Sequence, residues 1–122
     1  MRFIYILVLV FFPFLMKAQT ELIPVESLSK HPIQQMEVNQ INYHYIEAGK
    51  GETIFFLHGF PDMAGTWDET IDSLRENYHC VAPFLRGYYP TGMAADSNYH
   101  PSTVARDVQM LAQKMGGSQY YV

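Results

Sequence analysis

The sequence predicts an α/β fold, in which the strands of a largely parallel sheet alternate with helices along the chain. A continuous apolar run from Thr53 to Leu57 ends at Gly59 and Pro61, as expected of a strand that is buried on both faces. Apolar residues at helical spacing follow it, and a second helical pattern later leads into another segment of strand formers. Strand, loop and helix in this order predict parallel strands connected through helices.

Two antiparallel strands are expected ahead of this buried strand. Met36 to Val38 forms the first, and Ile41 to Glu47 forms the second, in which apolar and polar residues alternate as on an edge-side strand. Asn39 and Gln40 lie between them as the turn. His44 falls on the polar side of the alternation, so we expect it to be solvated.

The buried strand is followed by a short helix and a second apolar strand. Residues 65–74 form the helix, whose apolar face comprises Trp67, Ile71 and Leu74. His79 to Leu85 forms the strand, with Pro83 near its carboxyl end, where a missing N–H is tolerated. Cys80 is the one cysteine of the chain and lies in this apolar strand, so we expect an inert, buried thiol.

A longer helix is expected to begin at His100 and Pro101, because proline suits the first turn of a helix. Its apolar stripe, which should face the core, comprises Val104, Val108, Leu111 and Met115. Gly116 and Gly117 follow as the left-handed cap that ends many helices. The last residues, 118–122, begin another strand.

Residues 1–19 are set apart from the fold. Arg2 gives a positive start, Phe3 to Met16 is an apolar run, and Ala18 is a small residue near a cleavage point, a pattern typical of a secretory signal peptide. The apolar run is shorter than the roughly 20 residues of a membrane span, so we expect export to the periplasm or the medium. The alternative is an uncleaved N-terminal anchor. Residues 20–35 are expected to be an extended lead-in, and residues 36–122 the globular part.

Composition and charge exclude several classes of function. Eight basic and twelve acidic residues give a net charge of −4, which becomes about −6 when Arg2 and Lys17 leave with the N-terminal segment. An acidic surface without basic clusters argues against nucleic acids and anionic membranes as partners. No cysteine pair or His-x-x-x-His spacing suggests a metal site, no cofactor is expected, and a small molecule is the expected partner.

The loop after the buried strand carries the most specific motif. His58-Gly59-Phe60-Pro61-Asp62 resembles the His-Gly-X-Pro loop of the alpha/beta-hydrolase superfamily, in the branch of epoxide hydrolases and of haloalkane and haloacetate dehalogenases. In that family a backbone N–H of this loop forms half of an oxyanion hole. The resemblance gives this role to the Phe60 N–H, with His58, Gly59 and Pro61 shaping the loop and a cis bond before Pro61. The alternative is a plain turn, for which Gly and Pro are common.

A second motif follows the strand at 79–85. Residues 86–92, Arg-Gly-Tyr-Tyr-Pro-Thr-Gly, resemble the family's Arg-Gly-X-Gly-X-Ser stretch. Tyr89 replaces the second glycine of that stretch, and Phe84 replaces an acidic residue. These differences affect the assignment to a branch of the superfamily more than the assignment of the fold. Arg86 has two interpretations. It could bind an anionic substrate through bidentate hydrogen bonds, or it could tie loop carbonyls and carboxylates together as a scaffold.

Two acidic residues and the histidines complete the candidates. Asp62 is a pocket or scaffold candidate at the end of the first motif. Asp107 matches an acidic position that is common in this helix of the family, and a solvated carboxylate is the alternative. None of the five histidines is expected to be the catalytic base.

The resemblance covers residues 37–122 and implies the N-terminal part of an alpha/beta-hydrolase fold, with two antiparallel strands followed by three parallel strands and two connecting helices. The family's nucleophile, acid and base would lie beyond Val122, so we expect an incomplete chain that is neither active nor stable alone. The implied activity is hydrolysis of an epoxide or a carbon–halogen bond through a covalent ester. A serine esterase or perhydrolase, a non-catalytic ligand-binding member, and a complete structural or interaction protein are the alternatives.

Overall fold

The structure is a computed structural model that describes residues 22–122. Its strands and α-helices, in chain order, are β1 (Ile33–Val38), β2 (Ile41–Ala48), β3 (Glu52–Phe55), α1 (Asp68–Leu74), β4 (Tyr78–Pro83), α2 (Pro101–Lys114) and β5 (Tyr120–Tyr121). The strands form one sheet in the order β1-β2-β4-β3-β5. β2 pairs antiparallel with β1 and β4, whereas β3 pairs parallel with β4 and β5. The predicted α/β arrangement is confirmed.

The element boundaries differ from the predicted ones by a few residues. β3 ends at Phe55, but the Phe56 N–H still donates to the Val81 carbonyl at 2.9 Å. The predicted helix at 65–74 consists of a short 3-10 turn, Ala64–Trp67, followed by α1. The predicted cap of α2 is confirmed, because Gly116 has a φ of 79°.

The first strand begins three residues earlier than predicted, and this changes the environment of β2. Ile33 pairs with Ile46, so part of the expected lead-in belongs to the sheet, and a 3-10 turn at Val25–Ser27 precedes it. β2 therefore lies between β1 and β4 and is not an edge strand. The expectation that His44 is solvated is wrong. Its side chain is half-buried, and its Nδ1 has no hydrogen-bond partner in the described part of the chain.

The sheet buries apolar side chains on both faces. On one face, α2 packs Val108 and Leu111 against Tyr43, Phe55 and Val81. On the other face, Ile71 of α1 packs with a second buried set that includes Ile46, Cys80, Ala82 and Phe84. The expectation of a buried Cys80 is confirmed, since its side chain is inaccessible. These two layers hold β3 and β4 in the middle of the sheet, where their carboxyl ends carry the two sequence motifs.

Residues 1–21, which include the predicted signal peptide, lie outside the described residues. Within residues 22–122, no helix has the length and the apolar character needed to cross a bilayer.

Candidate active site

The loop after β3 is a tight turn stabilised by its own backbone. The Phe60–Pro61 peptide bond is cis, as expected. The Asp62 N–H donates to the Gly59 carbonyl at 2.8 Å, and the Asp62 carboxylate accepts from the Met63 N–H at 2.9 Å. Asp62 is exposed and is not among the residues that line the adjacent cavity. Its contacts make it part of the loop's own turn.

His58 connects this loop to the loop after β4. Its Nε2 lies 3.1 Å from the Leu85 backbone nitrogen, whose N–H donates to it, and its Nδ1 lies 3.4 Å from the Gly59 carbonyl oxygen. Because Nε2 accepts, the proton of the neutral ring is on Nδ1, where it faces that carbonyl. The ring is buried and meets the Tyr88 ring edge-on, with centroids 4.6 Å apart. Burial lowers the pKa of His58 below its ordinary value, which favours this neutral form.

Phe60 lies at the tip of the loop and is 89% exposed. Within the described residues, no acceptor hydrogen-bonds the Phe60 N–H. A backbone donor without a partner at the carboxyl end of a central strand is available to a ligand or a reacting oxygen. Backbone donors of this kind are among the groups that form oxyanion holes in enzymes.

A cavity of about 640 Å³ opens beside this loop. The loops after β3 and β4 and the first turns of α2 form its walls. Its lining is mostly apolar and includes Leu57, Phe60, Leu85, Tyr88, Met93, Tyr99 and Val104. This volume is typical of small-molecule sites, and the position at the carboxyl ends of parallel strands is where α/β sheets bind their ligands.

Arg86 lines the same cavity, but its guanidinium is already engaged. Its side chain is 1% exposed. Nε donates to Asp107 Oδ2 at 2.6 Å, and Nη1 donates to the Asn98 carbonyl at 2.6 Å. Of the two interpretations drawn from the sequence, these contacts support the scaffold, because Nε and Nη1 both bind groups of the protein itself.

Asp107 is the centre of a buried polar group that we call the Asp107 cluster, consisting of Asn39, Tyr43, Arg86 and Asp107. Asp107 is fully buried, so the solvated alternative is wrong. Asn39 Nδ2 donates to its Oδ1 at 2.9 Å, while the Tyr43 hydroxyl and Arg86 Nε both donate to Oδ2. Burial raises the pKa of the Tyr43 phenol, and the hydrogen bond to Asp107 raises it further. Sequence reasoning missed Asn39 and Tyr43, since the patterns assigned them to a turn and to the apolar side of a strand.

The chain resembles known proteins over most of its length. No family model matches it. It is 33% identical over 86 residues to epoxide hydrolase 1 of Siraitia grosvenorii, an alignment that covers 69% of this chain and 28% of that protein. It is 26% identical over 91 residues to a fluoroacetate dehalogenase of a Burkholderia species, covering 71% and 30%. An epoxide hydrolase structure from Vigna radiata matches with a TM-score of 0.69 and 35% identity, covering 73% of this chain and 30% of that one.

The chain spans less than a third of the length of these relatives. The matched region carries both loop motifs and the mixed sheet described above. In its sequence and its fold, the chain resembles the N-terminal part of the alpha/beta-hydrolase fold and is similar there to the epoxide hydrolases and dehalogenases.

Proposed function

We propose that the complete gene product hydrolyses a neutral epoxide through a covalent ester intermediate. The observation that carries the proposal is the Phe60 N–H, which has no partner in the described residues and lies on an apolar cavity at the carboxyl ends of β3 and β4. The epoxide hydrolases among its relatives support the reaction class.

The proposed reaction has two steps. A carboxylate nucleophile attacks a ring carbon, the ring C–O bond breaks, an ester forms, and the ring oxygen takes a proton from an acid. Water, deprotonated by a histidine base, then attacks the ester carbonyl carbon, and negative charge develops on the carbonyl oxygen. The Phe60 N–H donates to that oxygen until the intermediate collapses to the diol and the free carboxylate. In this proposal none of the described residues is assigned the role of nucleophile, acid or base.

In this proposal His58 orients the loop and does not act as the base. Both of its ring nitrogens face backbone groups, the Leu85 N–H and the Gly59 carbonyl. A base needs a free nitrogen within hydrogen-bond reach of the attacking water. His58 instead keeps the Phe60 N–H in place before the charge develops, which is the preorganisation that an oxyanion hole depends on.

The charge of the cavity favours an epoxide over an anionic substrate. A haloacetate, such as the substrate named for the Burkholderia relative, carries a carboxylate that requires a cation or several N–H donors. In the described part of the chain, Arg86 is the one cationic residue that lines the cavity, and Asp107 and Asn98 occupy it. The remaining lining suits an apolar, uncharged molecule.

Turnover and isotope labelling test the proposal directly. The complete gene product should convert styrene oxide to its diol faster than it defluorinates fluoroacetate. In a single turnover in ¹⁸O-water with enzyme in excess, the first diol should contain no ¹⁸O, because its new oxygen comes from the carboxylate. Labelled diol in the first turnover, or no turnover of any epoxide, would overturn the proposal. A serine nucleophile with ester hydrolysis would indicate an esterase. A Gly, Ala or Asn at the position of the nucleophile would indicate a non-catalytic member.

The role of the Phe60 N–H can be isolated from its side chain. Replacing Phe60 by phenyllactate converts its backbone amide to an ester, which removes the N–H, keeps the side chain and weakens the Gly59 carbonyl as an acceptor for Asp62. This should lower kcat by roughly 10²–10³-fold, as loss of one oxyanion donor does in other enzymes. Phe60→Ala, which keeps the N–H and removes the exposed ring, is the matched control and should change kcat much less. Equal effects of the two changes would argue against the assigned role.

We also propose that the protein is exported, as the composition of residues 1–19 suggests. Cell fractionation with N-terminal sequencing of the mature protein tests this. A new N-terminus near residue 19 in the periplasm or medium would support export with cleavage. An intact Met1 in the membrane fraction would support the anchor, and an intact chain in the cytoplasm would refute export.

A further inference from the structure

We propose that Asp107 is a positioning residue that sets the shape of the cavity, and hence the range of substrates, through Arg86. The inference rests on the proposed function where substrates are compared. Within the described residues, the hydrogen bonds of Asp107 go to Asn39, Tyr43 and Arg86, and Arg86 is the one of these three that lines the cavity.

The Arg86 guanidinium joins separate segments of the cavity wall. Its Nε bonds Asp107 on α2, and its Nη1 bonds the carbonyl of Asn98, the residue before the lining residue Tyr99. Its own backbone belongs to the stretch 85–88, which forms another wall. One planar group therefore fixes the spacing between the loop after β4, the segment before α2, and α2 itself.

The loop between these anchor points is folded closely on itself. The Gly87 N–H donates to the Gly92 carbonyl at 3.1 Å, and the Ala94 N–H donates to the Tyr99 hydroxyl at 3.1 Å. A side chain on Gly87 would come within 2.8 Å of the Tyr99 ring. The loop is therefore compact, and the bonds of Arg86 connect it to α2.

Asp107 also lies directly behind the lining part of α2. Val104, which lines the cavity, precedes it by three residues and so lies on the neighbouring turn of the same face. Asn39 and Tyr43 bind the carboxylate from β2 and its turn, which anchors Asp107 to the sheet. One buried carboxylate thus fixes the position of this part of the cavity wall relative to the sheet.

The variant Arg86→Lys distinguishes a role in positioning the cavity wall from a role in folding. A lysine keeps the positive charge beside Asp107, but its single ammonium cannot reproduce the planar fork that bonds both Asp107 and the Asn98 carbonyl. Arg106→Gln, an exposed change on α2, is the matched control. The complete gene product is assayed with a small epoxide, 1,2-epoxybutane, and a large one, trans-stilbene oxide. Binding of the neutral fluorophore N-phenyl-1-naphthylamine reports on the cavity without any reaction.

Arg86→Lys should change the ratio of kcat/KM between the two epoxides by roughly tenfold or more, mainly through KM, since small displacements of substrate-positioning groups cost rates of this order. Fluorophore affinity should change with it, while Arg106→Gln leaves both unchanged. An unchanged ratio and affinity in folded Arg86→Lys would overturn the inference. If no epoxide is hydrolysed, the proposed function fails, and fluorophore affinity alone decides the role of Asp107.

If Arg86→Lys does not fold, the double variant Arg86→Met with Asp107→Leu is tested in its place. Replacing a buried ion pair by apolar residues of similar volume is often neutral for stability. A purely structural role predicts that this folded variant recovers the parent's selectivity and fluorophore affinity. A positioning role predicts that both stay altered, because the bond to the Asn98 carbonyl is still missing.

Discussion

Replacing Asp107 by asparagine should destabilise the protein by about 3–5 kcal/mol, because it removes one partner of a buried ion pair. The side chains of Arg86 and Asp107 are 1% and 0% exposed, and their nitrogen and oxygen lie 2.6 Å apart. Asparagine has nearly the same shape but no charge. Among the described residues, the variant therefore leaves the buried guanidinium with one counter-charge, the exposed Asp96 carboxylate 3.9 Å from Nη1.

The hydrogen bonds of the Asp107 cluster lead to a similar magnitude. The carboxylate accepts from Asn39, Tyr43 and Arg86, and a hydrogen bond to a charged group contributes about 1.5–3 kcal/mol. An asparagine amide has one oxygen and one NH₂, so its NH₂ would face at least one donor of the cluster. The loss should be a large fraction of a total stability that is typically about 5–15 kcal/mol.

Urea unfolding of the complete gene product at pH 7 measures this loss. The matched control is Glu69→Gln, which breaks the pair between Lys30 and Glu69 at the same 2.6 Å but with side chains 44% and 89% exposed. The control should leave the unfolding midpoint nearly unchanged, since exposed pairs contribute little. A loss below about 1 kcal/mol for Asp107→Asn, or equal shifts for the two variants, would refute the reasoning that burial makes this pair important.

Two further predictions concern a titrating side chain and a backbone conformation. The contribution of His58 to the free energy of unfolding should level off above pH 6.5, the ordinary pKa of histidine, and should fall as the pH drops from there to the lowered pKa of His58, because the unfolded chain then binds the proton more readily. His58→Gln should remove this component of an acid titration followed by urea unfolding, and an identical profile would contradict it. Gly49→Ala should cost more than about 1 kcal/mol, since Gly49 has a φ of 82° and a Cβ there would lie 2.2 Å from the Tyr78 carbonyl oxygen. Gly92→Ala, where a Cβ meets no atom within 4 Å, should change stability by less than about 0.5 kcal/mol, and similar unfolding midpoints for the two variants would count against the strain.

Local sequence patterns predict a strand or helix well where the spacing of its own apolar residues and its capping residues determine it. The stripe of α2 placed Val108 and Leu111 in the core, and Gly116 ends the helix in the left-handed conformation. The start of β1 was missed because Gln34 and Gln35 give no apolar signal. They enter the sheet because β2 offers partners, with Gln34 opposite Tyr45 and Gln35 opposite His44.

The two parts of the site differ in how far the sequence could reveal them. The loop at 58–62 is a contiguous motif, so a resemblance to a family points to it directly. The Asp107 cluster joins residues that are 21, 64 and 68 positions from Asp107 along the chain. No local periodicity connects Asn39 in a turn, Tyr43 on a strand and Arg86 in a loop. Their association depends on the register of β2 against β4 and on the packing of α2, which appear only in the folded chain.

The hydrogen bond between His58 and Leu85 and the ion pair between Arg86 and Asp107 involve adjacent residues, 85 and 86. We therefore expect the two interactions to be energetically coupled. The Leu85 N–H donates to His58, and the side chain of the next residue, Arg86, binds Asp107. A shift of Arg86 should therefore move Leu85 and weaken the bond that fixes the Phe60 loop. A double-mutant cycle of His58→Gln and Arg86→Lys should give a coupling of at least about 0.5 kcal/mol, from unfolding and from kcat/KM, as residues coupled through a backbone shift do. The matched cycle of His58→Gln with Arg106→Gln should be additive. Additivity in the first cycle as well would mean that the loop after β3 and the cavity wall are held independently.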